Sequence, residues 1–177
     1  VISRESIRRI LEVLDEKIDL SDANADPALV PTDGEVKFNH VFFNYTARQD
    51  ADDSTLTDID LDIPTGSLVG VVGGTGSGKS TLVQLIPRLY DVSQGSVQVG
   101  GHDIRDYKLT TLRDAVAIVL QKNVLFTGTI KDNLKWGNEN ATDEEIIEAC
   151  KSAQAHDFIM SFPDGYDTEL TQGGTNV

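Results

Sequence analysis

Residues 73–80 read Gly-Gly-Thr-Gly-Ser-Gly-Lys-Ser, which matches the phosphate-binding loop pattern G-x-x-x-x-G-K-[ST] at every fixed position. The run Leu68–Val72 before this loop is apolar and rich in β-branched residues, which predicts a buried strand. The segment Thr81–Ile86 after it predicts a short helix, which Pro87 ends because proline lacks the backbone N–H that the helix needs. A strand, a glycine-rich loop and a helix in this order predict a nucleotide site in an α/β protein.

The residue types in the loop suit a nucleotide and its magnesium ion. Glycines let the backbone curl until its N–H groups point at phosphate oxygens. Lys79 is expected to reach the β- and γ-phosphates, and the hydroxyl of Ser80 is expected to ligate Mg²⁺. The residues expected to contact the ligand are Gly73, Gly74, Thr75, Gly76, Ser77, Gly78, Lys79, Ser80 and Thr81.

The composition excludes several other classes of protein. The 177 residues suit one domain of medium size, and 39% hydrophobic with 25% charged residues is ordinary for a folded protein. A net charge of −14 argues against a nucleic-acid-binding surface, which needs a basic patch. No apolar run approaches the ~20 residues of a membrane span, and no signal peptide is visible. The single cysteine, Cys150, excludes an internal disulfide and is expected to be buried on a helix.

The remaining patterns outline the other elements. Apolar periodicity predicts an amphipathic helix at residues 7–18, and a polar, proline-punctuated stretch predicts a linker at 19–33. Val36 and Phe38 alternate as in a strand, and a β-rich stretch follows with Val41, Phe42, Phe43 and Tyr45. Thr142 and Glu145 fit a capping box at the start of a helix. The further expected elements are an exposed hairpin tip at 46–55, strands at 59–63, 95–101 and 116–120, helices at 109–114, 129–134, 142–150 and 155–162, and a loop-like tail at 172–177.

Two residues outside the loop are candidates for ligand contact. Tyr45, at the end of a strand, offers a ring on which adenine can stack, and its alternative is an aromatic that only packs. Gln121 follows the strand predicted at 116–120, where ligands bind in a parallel sheet, and its alternative is a loop glutamine without a role. No spacing among the histidines, or between them and the cysteine, suggests a metal site: His40, His102 and His156.

Together, these stretches resemble the nucleotide-binding domain of an exporter-type ATP-binding-cassette (ABC) transporter, over essentially the whole chain. Phe43–Tyr45 is similar to the aromatic A-loop, Gly73–Thr81 to Walker A, and Ile118–Ile130 to the Q-loop with its exporter sequel. Asp164–Gly174 is similar to the segment before the signature motif, including the exporter X-loop. Ile10–Asp15 is similar to the end of the helix that descends from the last membrane span.

The resemblance implies an α/β fold of the P-loop NTPase type, with a RecA-like core, an antiparallel β subdomain and the start of the ABC helical subdomain. Residues 1–33 would be a helix and linker from the membrane domain, 34–128 the β subdomain and P-loop core, and 129–177 a partial helical subdomain with the X-loop. The signature motif, the Walker B strand and the switch histidine would follow Val177, so we expect a truncated domain. Because inner strands would then be missing from the sheet, we expect the isolated chain to be marginally stable or to complete itself by association.

The resemblance also implies a function. ATP would place its adenine against Tyr45, Mg²⁺ would be held by Ser80 and Gln121, and Lys79 and Gln121 would take part in hydrolysis. In the family, ATP is sandwiched between two such domains, so the implied partners are a second nucleotide-binding domain, in a homo- or heterodimer, and the protein's own transmembrane domain, reached through Gln121 and Glu169. The domain would lie at the cytoplasmic face of the cell membrane. The chain alone is expected to bind ATP without hydrolysing it, because the catalytic carboxylate would lie outside it.

Three alternatives stay open at this point. A P-loop kinase or GTPase shares the loop at 73–80 but lacks residues that correspond to Tyr45 before it and Gln121 after it. A soluble importer ATPase of the same superfamily usually begins at the first strand, so the helix at residues 7–18 argues against it. A non-hydrolysing binding or assembly module would use nucleotide only as a structural ligand.

Overall fold

The computed structural model describes residues 2–15, 20–45, 55–174 and 176. These residues form two compact units, one within 1–117 and one within 118–177. The predicted hairpin tip lies outside the described residues except for Thr55, and so does Ile18 of the first predicted helix. Within the described ranges, no helix combines the length and the apolar composition that crossing a membrane requires. The segments 1–33, 34–128 and 129–177, which follow the family resemblance, stay predictions.

A four-stranded antiparallel sheet is the framework of the first unit. Its strands are β1 (Val36–Phe43), β2 (Leu56–Ile63), β3 (Gln94–Val99) and β4 (His102–Asp103), and they lie in the order β2-β1-β3-β4. The residue Val36 pairs with Ile63 of β2 on one side and with Val99 of β3 on the other. The structure therefore contains the strands predicted from residues 36, 59 and 95, and β2 begins earlier than expected.

A bulge in β1 decides which of its side chains are buried. Strict alternation from Phe38 would place His40 and Phe42 on the buried face. Instead, the pairing with β2 shifts register between Phe38 and Val41, where His40 adopts a φ of 46°. Phe38, Val41 and Phe43 are consequently all buried, and His40 is exposed. A bulge thus lets a sequence without strict alternation fill one core.

Three helices belong to the first unit: α1 (Ile2–Leu14), α2 (Lys79–Leu85) and α3 (Leu109–Ala115). Leu85 of α2 and Leu112 of α3 are fully buried and join the sheet residues in one apolar core. The amphipathic pattern predicted for the first helix is present, but four apolar side chains along α1 are exposed. The exposed apolar side chains are Ile7, Ile10, Leu11 and Leu14.

The predicted linker has no helix or strand among residues 20–33, apart from one isolated bridge, and it is attached to the first unit by hydrogen bonds. The carboxylate of Asp22 accepts from the backbone N–H of Leu109 at 3.1 Å. The guanidinium of Arg88, which is buried, donates to the carbonyl of Ser21 at 3.3 Å. A polar sequence of this kind is therefore ordered by contacts that no local pattern reveals.

Two strand predictions are wrong. Residues 68–72 and 116–120 contain no strand, and Leu68 and Val72 are almost fully exposed, as is Val119. An inner strand of a parallel sheet depends on neighbouring strands for its hydrogen bonds and for its burial on both faces. Among the described residues, no strand pairs with either segment. The apolar, β-branched sequence alone is therefore not sufficient to form these strands.

The second unit combines a two-stranded sheet with three helices. β5 (Gly128–Thr129) pairs antiparallel with β6 (Glu169–Leu170). The helices are α4 (Ile130–Leu134), α5 (Asp143–Ser152) and α6 (His156–Met160), and short 3₁₀ turns cover residues 165–167 and 172–174. A separate core holds the unit together and includes Cys150, whose burial on a helix was predicted. The buried members of this core are Ile146, Cys150, Ile159 and Tyr166.

Two helices of this unit begin with reciprocal capping boxes. At α5, the hydroxyl of Thr142 accepts from the backbone N–H of Glu145 at 3.2 Å, and the Glu145 carboxylate accepts from the Thr142 N–H at 2.9 Å. This box was predicted and is confirmed. At α4, Thr129 and Asp132 form a second box that was not predicted. The backbone N–H of Thr129 donates to the Asp132 carboxylate, which lowers the pKa of that carboxyl group.

The described residues thus form mixed α/β structure with an antiparallel β subdomain, in agreement with the predicted fold class. The parallel strands of the predicted core are the part that the structure does not contain among its described residues.

Candidate functional site

The loop at residues 73–80 connects an exposed, extended segment to α2, and its glycines are required by its geometry. Gly78 has a φ of +81°, in the left-handed region that favours glycine. A Cβ at Gly78 would lie 2.7 Å from Cδ2 of Leu56 and 3.0 Å from the carbonyl oxygen of Thr55. A Cβ at Gly73 would lie 2.6 Å from the hydroxyl of Ser77. Any larger residue at Gly78 would therefore displace the loop from Leu56 of β2, whereas at Gly73 the Ser77 hydroxyl would turn away.

The side chain of Lys79 forms hydrogen bonds with its own loop. Its ammonium group donates to the carbonyl oxygens of Gly73 at 2.8 Å and Gly74 at 2.6 Å, and to the hydroxyl of Ser77 at 3.3 Å. An ammonium group has three donors, so these contacts account for all of them. The loop side chains are otherwise exposed, including Ser80. Three of the predicted site residues, Gly73, Gly74 and Ser77, are thus brought together around the Lys79 ammonium group.

Tyr45 lies against the helix that follows the loop. Its hydroxyl is 2.9 Å from Oγ1 of Thr81 and donates to the side-chain carbonyl of Gln84 at 3.2 Å. Thr81 is buried and directly follows Ser80, whereas the Tyr45 side chain is half-exposed. The structure therefore brings the predicted aromatic residue to within one hydrogen bond of the predicted phosphate loop. Gln84 is a contact that the sequence analysis missed.

Two further aromatic rings surround Tyr45. The ring centroid of Phe43 lies 4.8 Å from that of Tyr45 at an interplanar angle of 85°, and the centroid of Tyr90 lies 5.1 Å away at 89°. Phe43 had a local signal, since residues two apart on a strand face the same side. Tyr90 had none, because it follows α2 and is brought to β1 only by the fold. Both residues were absent from the predicted site.

Gln121 belongs to the second unit, in an exposed stretch of irregular chain. Ser80 belongs to the first unit, so the predicted magnesium site shared by Ser80 and Gln121 stays a prediction. The strand that was expected to deliver Gln121 is the one that is not formed.

The segment after Gln121 is held by one asparagine. The Asn133 side chain accepts from the backbone N–H of Phe126 at 2.8 Å and donates to the carbonyls of Phe126 at 2.9 Å and Thr129 at 3.0 Å. Thr129 is paired with Glu169, which is exposed. The ring of Phe126 stacks on that of Trp136 with centroids 4.7 Å apart at 13°, and both rings are exposed. The second unit thus presents an exposed aromatic stack and, on β6, an exposed carboxylate.

A cluster of His40, Asp58 and Asp60 forms where the bulge of β1 faces β2. Nδ1 of His40 donates to the carboxylate of Asp58 at 2.8 Å and lies 3.1 Å from that of Asp60. Their potential ligand atoms all lie within 4.8 Å of one another, although the histidine spacing gave no sign of such a group. The hydrogen bond to Asp58 raises the pKa of His40 above its ordinary value. All three side chains are exposed, and an imidazolium between two carboxylates accounts for the arrangement.

The chain is similar to known proteins of one family. A family model described as "ABC transporter" matches residues 56–176. Two relatives in Staphylococcus aureus, from strains NCTC 8325 / PS 47 and bovine RF122 / ET3-1, are named as multidrug export ATP-binding/permease proteins. Each is 41% identical over 168 residues, which cover 95% of this chain and 28% of the relative. A solved structure of a bacterial Atm1-family ABC exporter with ATP bound has a TM-score of 0.87 and 36% identity, over 97% of this chain and 29% of that chain.

Proposed function

Because the chain belongs to the ABC transporter family and corresponds to its ATP-binding domain, we propose that the loop at residues 73–81 binds ATP with Mg²⁺ and that this binding drives export. The observation that carries the proposal is the contact between Tyr45 and Thr81, which puts an aromatic ring beside the end of the phosphate loop. A nucleotide has an aromatic base at one end and phosphates at the other. The exposed ring of Tyr45 suits the base, and the neighbouring loop around Lys79 suits the phosphates.

The phosphates would lie in the loop around Lys79. The ammonium group donates three hydrogen bonds to Gly73, Gly74 and Ser77, which supports a role for Lys79 in contacting the β- and γ-phosphates. Close packing at Gly78 leaves no room for a side chain, which supports a glycine there as the motif requires. On this proposal, the contacts to phosphate come from Gly73 through Thr81, as predicted.

We propose that a magnesium ion binds with the nucleotide. Mg²⁺ prefers oxygen ligands, and the Ser80 hydroxyl is exposed beside Lys79. We assign Ser80 and Gln121 as its protein ligands, with Gln121 contributing its amide oxygen. When bound, the ion neutralises charge that develops on the phosphates. Lys79 would stabilise the same charge, and Gln121 would orient the attacking water.

The partners follow from the family and from the surface of the second unit. We propose that a second nucleotide-binding domain completes the ATP site, in a homo- or heterodimer, and that a transmembrane domain contacts the segments around Gln121 and Glu169. The exposed rings of Phe126 and Trp136 and the exposed side chain of Glu169 support such a contact. Residues 1–33 would connect to that transmembrane domain, and the chain would lie at the cytoplasmic face of the membrane.

The isolated chain is proposed to bind ATP without hydrolysing it. Hydrolysis in this family needs a carboxylate after an apolar strand, and no Asp or Glu of the 177 residues has that position. The alternative is a module in which nucleotide is only a structural ligand, in the intact protein as well as in the isolated chain.

One experiment tests the proposal and this alternative. ATP binding and phosphate release are measured in the intact protein that carries this chain, for the unaltered sequence and for Lys79→Ala. We expect Lys79→Ala to abolish phosphate release, because it removes the cation that stabilises the transferring phosphoryl group. Unchanged turnover in Lys79→Ala would refute the role of Lys79. ATP that raises the melting temperature of the unaltered protein without any phosphate release would favour the structural-ligand alternative.

A further inference from the structure

Tyr90 packs against Tyr45, the residue on which the base of the nucleotide is proposed to stack. The two ring centroids lie 5.1 Å apart and the ring planes meet at 89°. Phe43 contacts both rings, at 4.8 Å from Tyr45 and 5.6 Å from Tyr90. Phe43 is buried, whereas Tyr45 is 51% and Tyr90 is 40% exposed. The cluster is therefore anchored in the core by Phe43 and presents two rings to a ligand.

The contacts of Tyr45 restrain its ring from two directions. In T-shaped pairs, the edge of one ring lies against the face of the other, so each ring limits the rotation of its neighbour. Phe43 and Tyr90 both meet Tyr45 in this geometry. At the far end of the ring, the hydroxyl contacts Thr81 and Gln84 of α2. Removing Tyr90 would take away the solvent-side ring contact and leave the buried one.

We propose that Tyr90 is a positioning residue for the base of the nucleotide, because it holds the ring of Tyr45 in the orientation that the base stacks on. This inference rests on the proposed function, since it assumes that a base binds beside Tyr45. Among the described residues, the ring contacts of Tyr90 are with Phe43 and Tyr45. Tyr90 therefore acts on the base through Tyr45 and leaves the phosphates unaffected. A residue that only stabilised the fold would weaken the binding of every ligand of the loop.

The test compares a ligand with a base and a ligand without one. Dissociation constants for ATP and for inorganic tripolyphosphate, each with Mg²⁺, are measured in the intact protein. We expect Tyr90→Ala to weaken ATP binding by about three- to tenfold, the contribution of one aromatic pair, and to leave tripolyphosphate binding unchanged. Tyr90→Phe keeps the ring and should bind both ligands like the unaltered protein.

A matched control is available in the second unit. Phe158 and Phe162 form a T-shaped pair with centroids 5.1 Å apart at 83°, and Phe158 is about as exposed as Tyr45. Phe158→Ala therefore removes a comparable ring pair far along the chain, and it should change neither dissociation constant. If Tyr90→Ala fails to fold, Tyr90→Leu keeps apolar volume without a ring and is expected to show the same selective loss of ATP binding.

Each other result overturns the inference. If the Tyr90 variants bound ATP and tripolyphosphate with equally weakened affinity, Tyr90 would have a purely structural role. If their affinity for ATP were unchanged, Tyr90 would have no role in binding. If the unaltered protein bound ATP no more tightly than tripolyphosphate, the base would not be recognised. This result would refute the role of Tyr90 but not the role of the phosphate loop. If the unaltered protein bound neither ligand, the proposed function itself would be refuted.

Discussion

Replacing Gly78 by alanine tests whether the loop at 73–80 depends on its packing against β2. The backbone of Gly78 has a φ of +81°, and an added Cβ would lie 2.7 Å from Cδ2 of Leu56 and 3.0 Å from the carbonyl oxygen of Thr55. The Leu56 side chain is buried in the core, and the Thr55 oxygen belongs to the backbone. Neither contact can therefore be relieved by turning a flexible side chain into solvent.

Two terms determine the cost of Gly78→Ala. Holding a non-glycine residue in the left-handed region costs about 1–2 kcal/mol. Inserting a methyl group into a packed site costs about 1–3 kcal/mol more, so we expect a total loss of about 2–5 kcal/mol of unfolding free energy. Gly66→Ala is the matched control, because Gly66 has a φ of +78° and no atom lies within 4 Å of its added Cβ. Gly66→Ala should therefore lose only the backbone cost of about 1–2 kcal/mol.

The assay is denaturant unfolding of the two variants, together with ATP affinity in the intact protein. Gly78→Ala should lose more stability than Gly66→Ala and should also bind ATP more weakly, because the loop must move away from β2. In a Leu56→Ala background, the extra cost of Gly78→Ala should shrink, since one of the two close contacts has been removed. Equal losses in Gly78→Ala and Gly66→Ala, with ATP affinity retained in both, would refute the packing argument.

Three further predictions follow from hydrogen bonds and charges on the two units. Thr142→Ala should lower the stability of the second unit by about 1 kcal/mol through loss of the helix cap, whereas Thr142→Ser, which keeps the hydroxyl, should restore most of it; identical melting of both variants would contradict the capping role. Asn133→Ala removes three hydrogen bonds to Phe126 and Thr129, so it should cost about 1–3 kcal/mol and speed amide hydrogen exchange at Phe126, and unchanged exchange there would count against it. The pKa of His40 is raised above its ordinary 6.5 by Asp58 and Asp60, so its stabilising contribution is complete below pH 6.5 and is lost as the pH rises through the pKa in the folded protein. His40→Gln should flatten the pH dependence of stability in that window, and an unchanged pH profile would show that the His40 contacts do not matter in solution.

Elements that depend on local pattern were predicted well from the sequence. The strand beginning at Val36, the helix before Pro87 and the capping box at Thr142 each rest on residues close together in the chain, and each is present. The box at Thr129 was missed because its third helical residue is Asp132, whereas the pattern sought Glu or Gln. In these cases, the physical determinants lie within one or two turns of chain, which a sequence displays directly.

The wrong predictions concern elements that depend on distant neighbours. Residues 68–72 and 116–120 have the composition of inner strands, but such strands form only when other strands lie on both sides of them. The bulge at His40 could not be seen either, because it depends on how β1 pairs with β2. The polar linker at 20–33 is ordered through Asp22 and Arg88, whose partners lie far along the chain.

The proposed nucleotide site likewise has one part that depends on local sequence and one part that depends on distant neighbours. The phosphate loop is local: its glycines and Lys79 lie within eight consecutive residues, 73–80, so the motif alone identified them. The base platform is non-local, since Tyr45 ends one strand and Tyr90 follows a helix, and only the packing of that helix against the sheet brings their rings together. Thr81 is the residue that joins the two parts, because it follows the loop in sequence and contacts the Tyr45 hydroxyl in space. Substitutions in the loop should therefore weaken the binding of all phosphate ligands, whereas substitutions in the aromatic cluster should weaken only the ligands that carry a base.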